Sequence, residues 1–190
     1  MRSLADIRLR RHLPKLSSQP GHDFVRTSYS ACCRVLLRPA LETDTEAIAC
    51  VWHAAWGDAH RGHVPQALHA IRTLAHFRLR VPPRLASTCL ATLAERVVGF
   101  VSVQDNELEQ LFVLAEARGT GAASALLREG ERRIAAQFDT AWLSVVAGNQ
   151  RARRFYAREG WCDHGPFEYA AEIAGAAIVI ETHRYEKRVG

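Results

Sequence analysis

Two constellations in this sequence could do chemistry. The first is the run Leu111-Phe112-Val113-Leu114-Ala115-Glu116-Ala117-Arg118-Gly119-Thr120-Gly121-Ala122-Ala123-Ser124, which sets a glycine-rich turn between an apolar strand pattern and the start of a helix. Amides exposed at a helix N-terminus, reinforced by the helix dipole, attract anions, and Gly119 and Gly121 let the backbone come close to a phosphate. A pyrophosphate is the natural guest. The second is the pair Glu107 and Glu109. Two residues apart on a strand, they share a face, expected to be that of Leu111 and Val113. If that face borders a reaction cleft, mutual repulsion and partial burial raise one carboxyl pKa toward the range of a general base. The plainer reading is a pair of solvated hairpin carboxylates. Of the two, Glu109 lies deeper in the strand and is the preferred base.

Spacing narrows the ligand of the glycine turn. A P-loop needs G-x-x-x-x-G-K-S/T, but no lysine lies between Lys15 and Lys187. A dinucleotide fingerprint would need its third glycine at Ser124 and an acid after the next strand, where the chain has Ala147-Gly148-Asn149. The histidines at 53, 60, 63, 69 and 76 form no H-E-x-x-H arrangement, and Asp58 is the one carboxylate near them, so no metal is expected. Five cysteines, odd in number and without a C-x-x-C pair, point to neither a disulfide framework nor a zinc ribbon and favour a reducing, cytoplasmic setting.

The elements that must position these groups follow from periodicity. Val35 to Ala40 reads as a short strand, and Asp44 to Ala59 as an amphipathic helix with Ile48, Val51, Trp52, Ala55 and Trp56 in register. A second helix is predicted over 65–79, stopping before Pro82-Pro83. Strands over 87–93, 97–103 and 107–113, separated by short polar turns, form an antiparallel meander. A long helix over 119–138, a strand over 142–147, a helix over 150–159 and two closing strands complete the order β-α-α-β-β-β-α-β-α-β-β. Hairpins mixed with crossover helices imply an α/β fold, a mostly antiparallel mixed sheet with helices on both faces, in one domain over 35–190.

Charge says little about partners until it is located. Residues 1 to 35 hold seven basic groups and two acids, which accounts for the net +5, while the other 155 residues carry 18 of each sign. The body therefore offers no basic groove for nucleic acid. The segment 1–34 reads as a basic, flexible N-terminal extension, with a docking arm or a targeting segment as lesser readings. The most apolar stretch, Ala170 to Ile180, is interrupted by Glu172 and falls well short of the ~20 residues of a membrane span.

One further pattern fits the glycine turn. Arg118, Gly121 and Ala123 satisfy Arg/Gln-x-x-Gly-x-Gly/Ala, an apolar strand ends five residues earlier at Val113, and the next strand leads into Asn149, Ala152, Phe155 and Tyr156, followed by Glu159-Gly160-Trp161. These linked motifs, with Arg38-Pro39 in the first strand, resemble the GNAT superfamily of N-acetyltransferases over about residues 35 to 187. Ala115 departs from the pattern, since a proline is frequent there, and the leader has no counterpart. The resemblance implies acetyl-CoA as cosubstrate, with its pyrophosphate on the amides of Arg118, Gly119, Thr120, Gly121, Ala122, Ala123 and Ser124. Its pantetheine arm would pair with the strand edge of Leu111, Phe112 and Val113, beside Asn149 and Phe155. Asn149 could equally cap the following helix.

The resemblance also implies direct attack of a primary amine on the thioester through a tetrahedral intermediate, with an amide near Val113 stabilising the oxyanion. Tyr156 stands where relatives carry the acid that protonates the leaving thiolate; its alternative is simple packing beside Phe155. Trp52, Trp56 and His60 fall on the acceptor side, where aromatic walls suit a small cationic amine. A protein N-terminus or lysine as acceptor, or a non-catalytic acyl-CoA-binding module, are the competing functions. No nucleic-acid or membrane partner is expected, and a homodimer is left open.

Overall fold

In a computed structural model of the chain, with residues 34–173 and 176–190 described, the strands are β1 (Leu36–Pro39), β2 (Thr88–Leu93), β3 (Arg96–Gln104), β4 (Glu107–Val113), β5 (Thr140–Val146), β6 (Cys162–Ile173) and β7 (Ala176–Arg188). They form one sheet in the order β1-β2-β3-β4-β5-β7-β6, antiparallel except for β4 and β5. The helices are α1 (Thr45–His60), α2 (Gln66–Ile71), α3 (Leu74–Arg80), α4 (Ala122–Ala135) and α5 (Gln150–Arg158). The expected extension 1–34 lies, apart from Arg34, outside the described residues.

Each face of the sheet has its own core. On one, Leu126, Leu127 and Ile134 of α4 and Tyr156 of α5 pack on Val101, Leu108, Leu143 and Val145. On the other, Ile48, Trp52 and Trp56 of α1 meet Leu68, Phe77, Phe100 and Val146. Phe77 is wholly buried, its ring centroid 5.1 Å from that of Trp52, so truncation to alanine would cost about 3–5 kcal/mol. Arg38 fixes the entry to α1 by a two-pronged pair with Asp44 at 2.6 and 2.7 Å, and Asp44 also accepts the Leu41 amide.

Two details depart from the periodicity. The helix predicted over 65–79 is two helices, because Thr73 turns the chain and caps α3, its hydroxyl accepting the His76 amide at 3.2 Å. The second is a bulge in β4. Ser102 pairs with Gln110 and Val103 with Leu108, so Glu109 has no partner on β3. The extra residue reverses the alternation. Leu108 therefore joins Leu111 and Val113 on the α4 side, while Phe112 packs with the α1 core. The expectation that Glu107 and Glu109 share the face of Leu111 and Val113 is thus corrected, since strict alternation fails at Glu109.

β4 and β5 are in register only at Glu107 and Trp142. Beyond that pair the parallel strands part, and the edge of β4 from Leu108 to Val113 has no strand partner on the β5 side among the described residues.

Candidate active site

The parted strands open a cleft of about 1190 Å³ that runs from the N-terminus of α4 across the sheet to α2 and α3. At one end, a 3-10 turn (Ala115–Ala117) leads from β4 into the glycine loop. Gly119 and Gly121 adopt φ of 78° and 86°, a left-handed backbone that side-chain-bearing residues resist. Among the described residues, the amides of Gly119, Gly121, Ala123 and Ser124 have no acceptor, and they stand at the start of a 14-residue helix. That is an anion cradle by construction.

Arg118, Gly119, Gly121, Ala122, Ala123 and Ser124 all line the cleft. Thr120 does not. Its hydroxyl donates to the Ala117 carbonyl at 2.7 Å and its amide, the group expected to meet the ligand, points to the same oxygen at 3.4 Å. The Ser124 hydroxyl is likewise bound, donating to Glu159 at 2.6 Å, so this residue has only its amide to offer. Arg118 pairs with Asp58 at the end of α1, and Arg151 of α5 reaches the same carboxylate at 2.8 Å. Two cationic side chains are thereby held at the mouth of the phosphate end.

Midway along the cleft lie Leu111, Phe112 and Val113 on one wall and Asn149, Phe155 and Tyr156 on the other. Asn149 caps α5, its side-chain oxygen accepting the Ala152 amide at 3.1 Å, so of its two expected roles the capping one is seen directly. Tyr156 is 8% exposed among the rings of Phe155, Trp161 and Tyr185, and its hydroxyl has no hydrogen-bond partner among the described residues. Burial pushes its pKa above the ordinary phenol value, which keeps the hydroxyl protonated. Both of its expected roles, packing and proton donation, are compatible with that setting.

The far end holds the glutamates. Glu109 is clamped by Arg84, whose guanidinium donates to both carboxylate oxygens at 2.5 to 3.0 Å. A carboxylate with both oxygens engaged has no free lone pair aimed at an incoming amine, which counts against the preference for Glu109 as base. Glu107 is the perturbed one. Burial, and then the charge of Glu109, raise its pKa to about 7, against the opposing pull of Arg184.

The aromatic walls are also not as expected. Trp52 is 1% exposed in the core, and the cations over its ring are the protein's own: the Arg80 guanidinium at 4.9 Å and that of Arg84 at 5.7 Å. Trp56 is buried and stacked on His60 at 4.5 Å. His60 bonds the Trp56 carbonyl through Nδ1 at 2.8 Å, and burial holds its pKa down to about 4. It is a neutral, structural ring at the cleft wall. Trp52 and Trp56 are therefore core residues that border the cleft, and the ring face of Trp52 already carries the protein's own cations.

Sequence reasoning missed Arg72, His76, Arg80 and Arg84, all of which line the cleft with Tyr169 of β6. The signal was present. These four recur at intervals of four residues, the spacing of one helical face, from the end of α2 through α3 to the turn after it. No group of three or more metal-ligating side chains occurs among the described residues. Nor is any helix there long and apolar enough to cross a membrane.

The family model for the acetyltransferase (GNAT) family matches residues 47–161. Uncharacterized N-acetyltransferases of Mycobacterium tuberculosis and Mycobacterium bovis are 39% identical over 83 residues, 37% of this chain and 49% of theirs. The chain thus spans about half the length of the curated relatives it matches. Among solved structures, the GCN5-related N-acetyltransferase from Rhodopseudomonas palustris superimposes with a TM-score of 0.63 at 22% identity, covering 80% of this chain and 94% of that one. The PaiA N-acetyltransferase from Thermoplasma acidophilum, solved with coenzyme A, gives 0.62 at 16%, covering 81% and 98%. A GNAT superfamily phosphinothricin acetyltransferase from Sinorhizobium meliloti, solved with acetyl-CoA, gives 0.60 at 18%, covering 82% and 89%.

Proposed function

The chain belongs to the acetyltransferase (GNAT) family, and from that premise we propose that it transfers the acetyl group of acetyl-CoA to the primary amine of a small molecule. The observation that carries this reading is one continuous cleft that joins the unpartnered amides at the start of α4 to the perturbed carboxyl of Glu107, with Tyr156 also in its lining. The structures solved with coenzyme A and acetyl-CoA are relatives in fold and support the same ligand.

The residues fit that cosubstrate by their chemistry. Gly119, Gly121, Ala123 and Ser124 supply amides for a pyrophosphate, and Arg118 and Arg151 add positive charge at the mouth. The open edge of β4 offers backbone groups to a peptide-like arm, as in strand addition. When bound, acetyl-CoA supplies an activated acetyl thioester.

An amine enters water-filled clefts as an ammonium and must lose a proton before it can attack. Glu107, with a pKa of about 7, is ionised in a large fraction of molecules at neutral pH and still basic enough to take that proton. Burial makes Glu107 basic, and the charge of Glu109, which Arg84 holds in place, adds to it. Tyr156, kept protonated by burial, gives its proton to the departing sulfur. No cysteine lines the cleft among the described residues, which supports direct transfer over a thioester on the protein.

The test is release of free thiol from acetyl-CoA when the purified protein is offered a panel of primary amines. Thiol release with at least one small amine is expected. A rise in melting temperature with acetyl-CoA but no thiol release with small amines, peptide N-termini or lysine peptides would leave the acyl-CoA-binding module as the function.

A further inference from the structure

The acceptor end of the cleft is cationic, and the cations are not neutralised. Arg72 is 9% exposed, and its Nε has no hydrogen-bond partner. One of its terminal nitrogens donates to His76 Nε2 at 2.5 Å, an acceptor that carries no negative charge. Arg80 lies over the Trp52 ring, and neither it nor Arg72 has a carboxylate at ion-pair distance among the described residues. The acids nearby are committed elsewhere. Glu109 is taken by Arg84, and Glu107 is half-protonated near neutral pH. Tyr169, whose hydroxyl also lacks a partner among the described residues, borders the same space.

Resting on the acetyltransferase reading, we propose that the acceptor is an amine that also carries an acid group, a carboxylate or phosphonate, which Arg72 and Arg80 bind while the amine lies toward Glu107. Two guanidiniums kept apart from carboxylates in a partly desolvated wall are costly unless an anion completes them. Burial lowers the pKa of both, and for Arg80 the like charges of Arg72 and Arg84 lower it further, to about 10. A bound oxyanion relieves that repulsion. Planar guanidiniums are suited to two-pronged recognition of carboxylate and phosphonate alike. Trp52 serves as the platform that holds Arg80 in place, the role its ring was expected to serve for the substrate.

An acid group could reach these arginines from the acyl chain instead, as in a dicarboxylic acyl-CoA, and the experiment separates the two sources. Glycine, β-alanine, L-glutamate and 2-aminoethylphosphonate are compared as acceptors with their amides or with alkylamines of equal length, using acetyl-CoA and succinyl-CoA. With acetyl-CoA, kcat/KM is expected to favour an acid over its uncharged counterpart by at least tenfold, mainly in KM. In Arg80→Gln that ratio should fall toward one. In Arg78→Gln, an exposed neighbour paired with Glu46, it should stay as in the wild type.

Equal use of acids and amides, or a preference for succinyl-CoA that Arg80→Gln abolishes, would overturn the proposal while leaving acyl transfer intact. If no amine is turned over, calorimetric titration with the N-acetylated acids and N-acetylated amides of the panel still decides. Tighter binding of the acids that is lost in Arg80→Gln supports the anion site, and equal binding refutes it, whatever the fate of the transferase reading.

Discussion

Glu107→Gln is expected to stabilise the protein while disabling it, and both effects follow from one perturbed carboxyl. The folded protein raises the Glu107 pKa from 4.5 to about 7, so the folded state holds this proton more tightly than the unfolded chain does. The stability linked to that proton is fully present below about pH 4.5, declines as pH rises through the interval, and is gone above about 7. At ~1.4 kcal/mol per pKa unit the unscreened figure is about 3 kcal/mol. Because the side chain is only partly buried at the cleft, solvent screening reduces this to about 1–2 kcal/mol. Glutamine keeps the shape and never ionises. The variant should therefore melt about 2–6 °C above the wild type at pH 8 and within about 1 °C of it at pH 5. Turnover runs the other way. Wild-type kcat/KM should rise with pH and level off above about 7, whereas the variant should be slower by at least ~10²-fold and lack that inflection. Differential scanning calorimetry from pH 5 to 8 and pH-rate profiles measure both. Equal melting temperatures at all pH values, or an inflection that persists in the variant, would refute the reasoning.

The other predictions concern neighbours of that carboxyl. Tyr156→Phe removes a hydroxyl that makes no hydrogen bond among the described residues, so the melting temperature should hold while turnover falls ~10²- to 10⁴-fold; unchanged steady-state rates would leave Tyr156 as packing alone. Arg84→Met leaves the Glu109 carboxylate without its partner and should lower stability by about 1–3 kcal/mol in urea unfolding. The double variant Arg84→Met, Glu109→Leu should recover part of that loss, and no recovery would mean that Arg84 acts through packing.

Much of this architecture was legible because it rests on local patterns. The α1 stripe of Ile48, Val51, Trp52 and Trp56, each strand and turn of the β2 to β4 meander, and the glycine turn before α4 declare themselves over a dozen residues or fewer. What stayed hidden depends on one residue or on distant ones. The bulge at Glu109 shifts register by a single position, and no periodicity marks it. That Glu109 would be taken by Arg84, 25 residues away, and Glu107 buried beside the cleft are tertiary facts. The charges misled for the same reason. A body with equal numbers of acids and bases looks neutral, yet folding gathers Arg72, Arg80 and Arg84 at one end of a cleft. Aromatic residues in helix register were read as a substrate wall, but Trp52 belongs to the core and carries Arg80 on its face.

The central claim is that this cleft binds acetyl-CoA through the amides at the start of α4, and calorimetric titration of acetyl-CoA into the wild type and Gly121→Glu tests it most directly. A β-carbon at Gly121 meets no atom within 4 Å, so the added side chain has room, at the cost of a left-handed backbone with φ of 86°. Its carboxylate would stand beside the pyrophosphate, and like charges ~4 Å apart at an effective dielectric near 20 repel by about 4 kcal/mol. The account predicts saturable, one-to-one binding to the wild type and a loss of at least ~10²-fold in affinity in a variant whose circular dichroism is unchanged. Equal affinity in the two proteins, or no binding to the wild type, would contradict it.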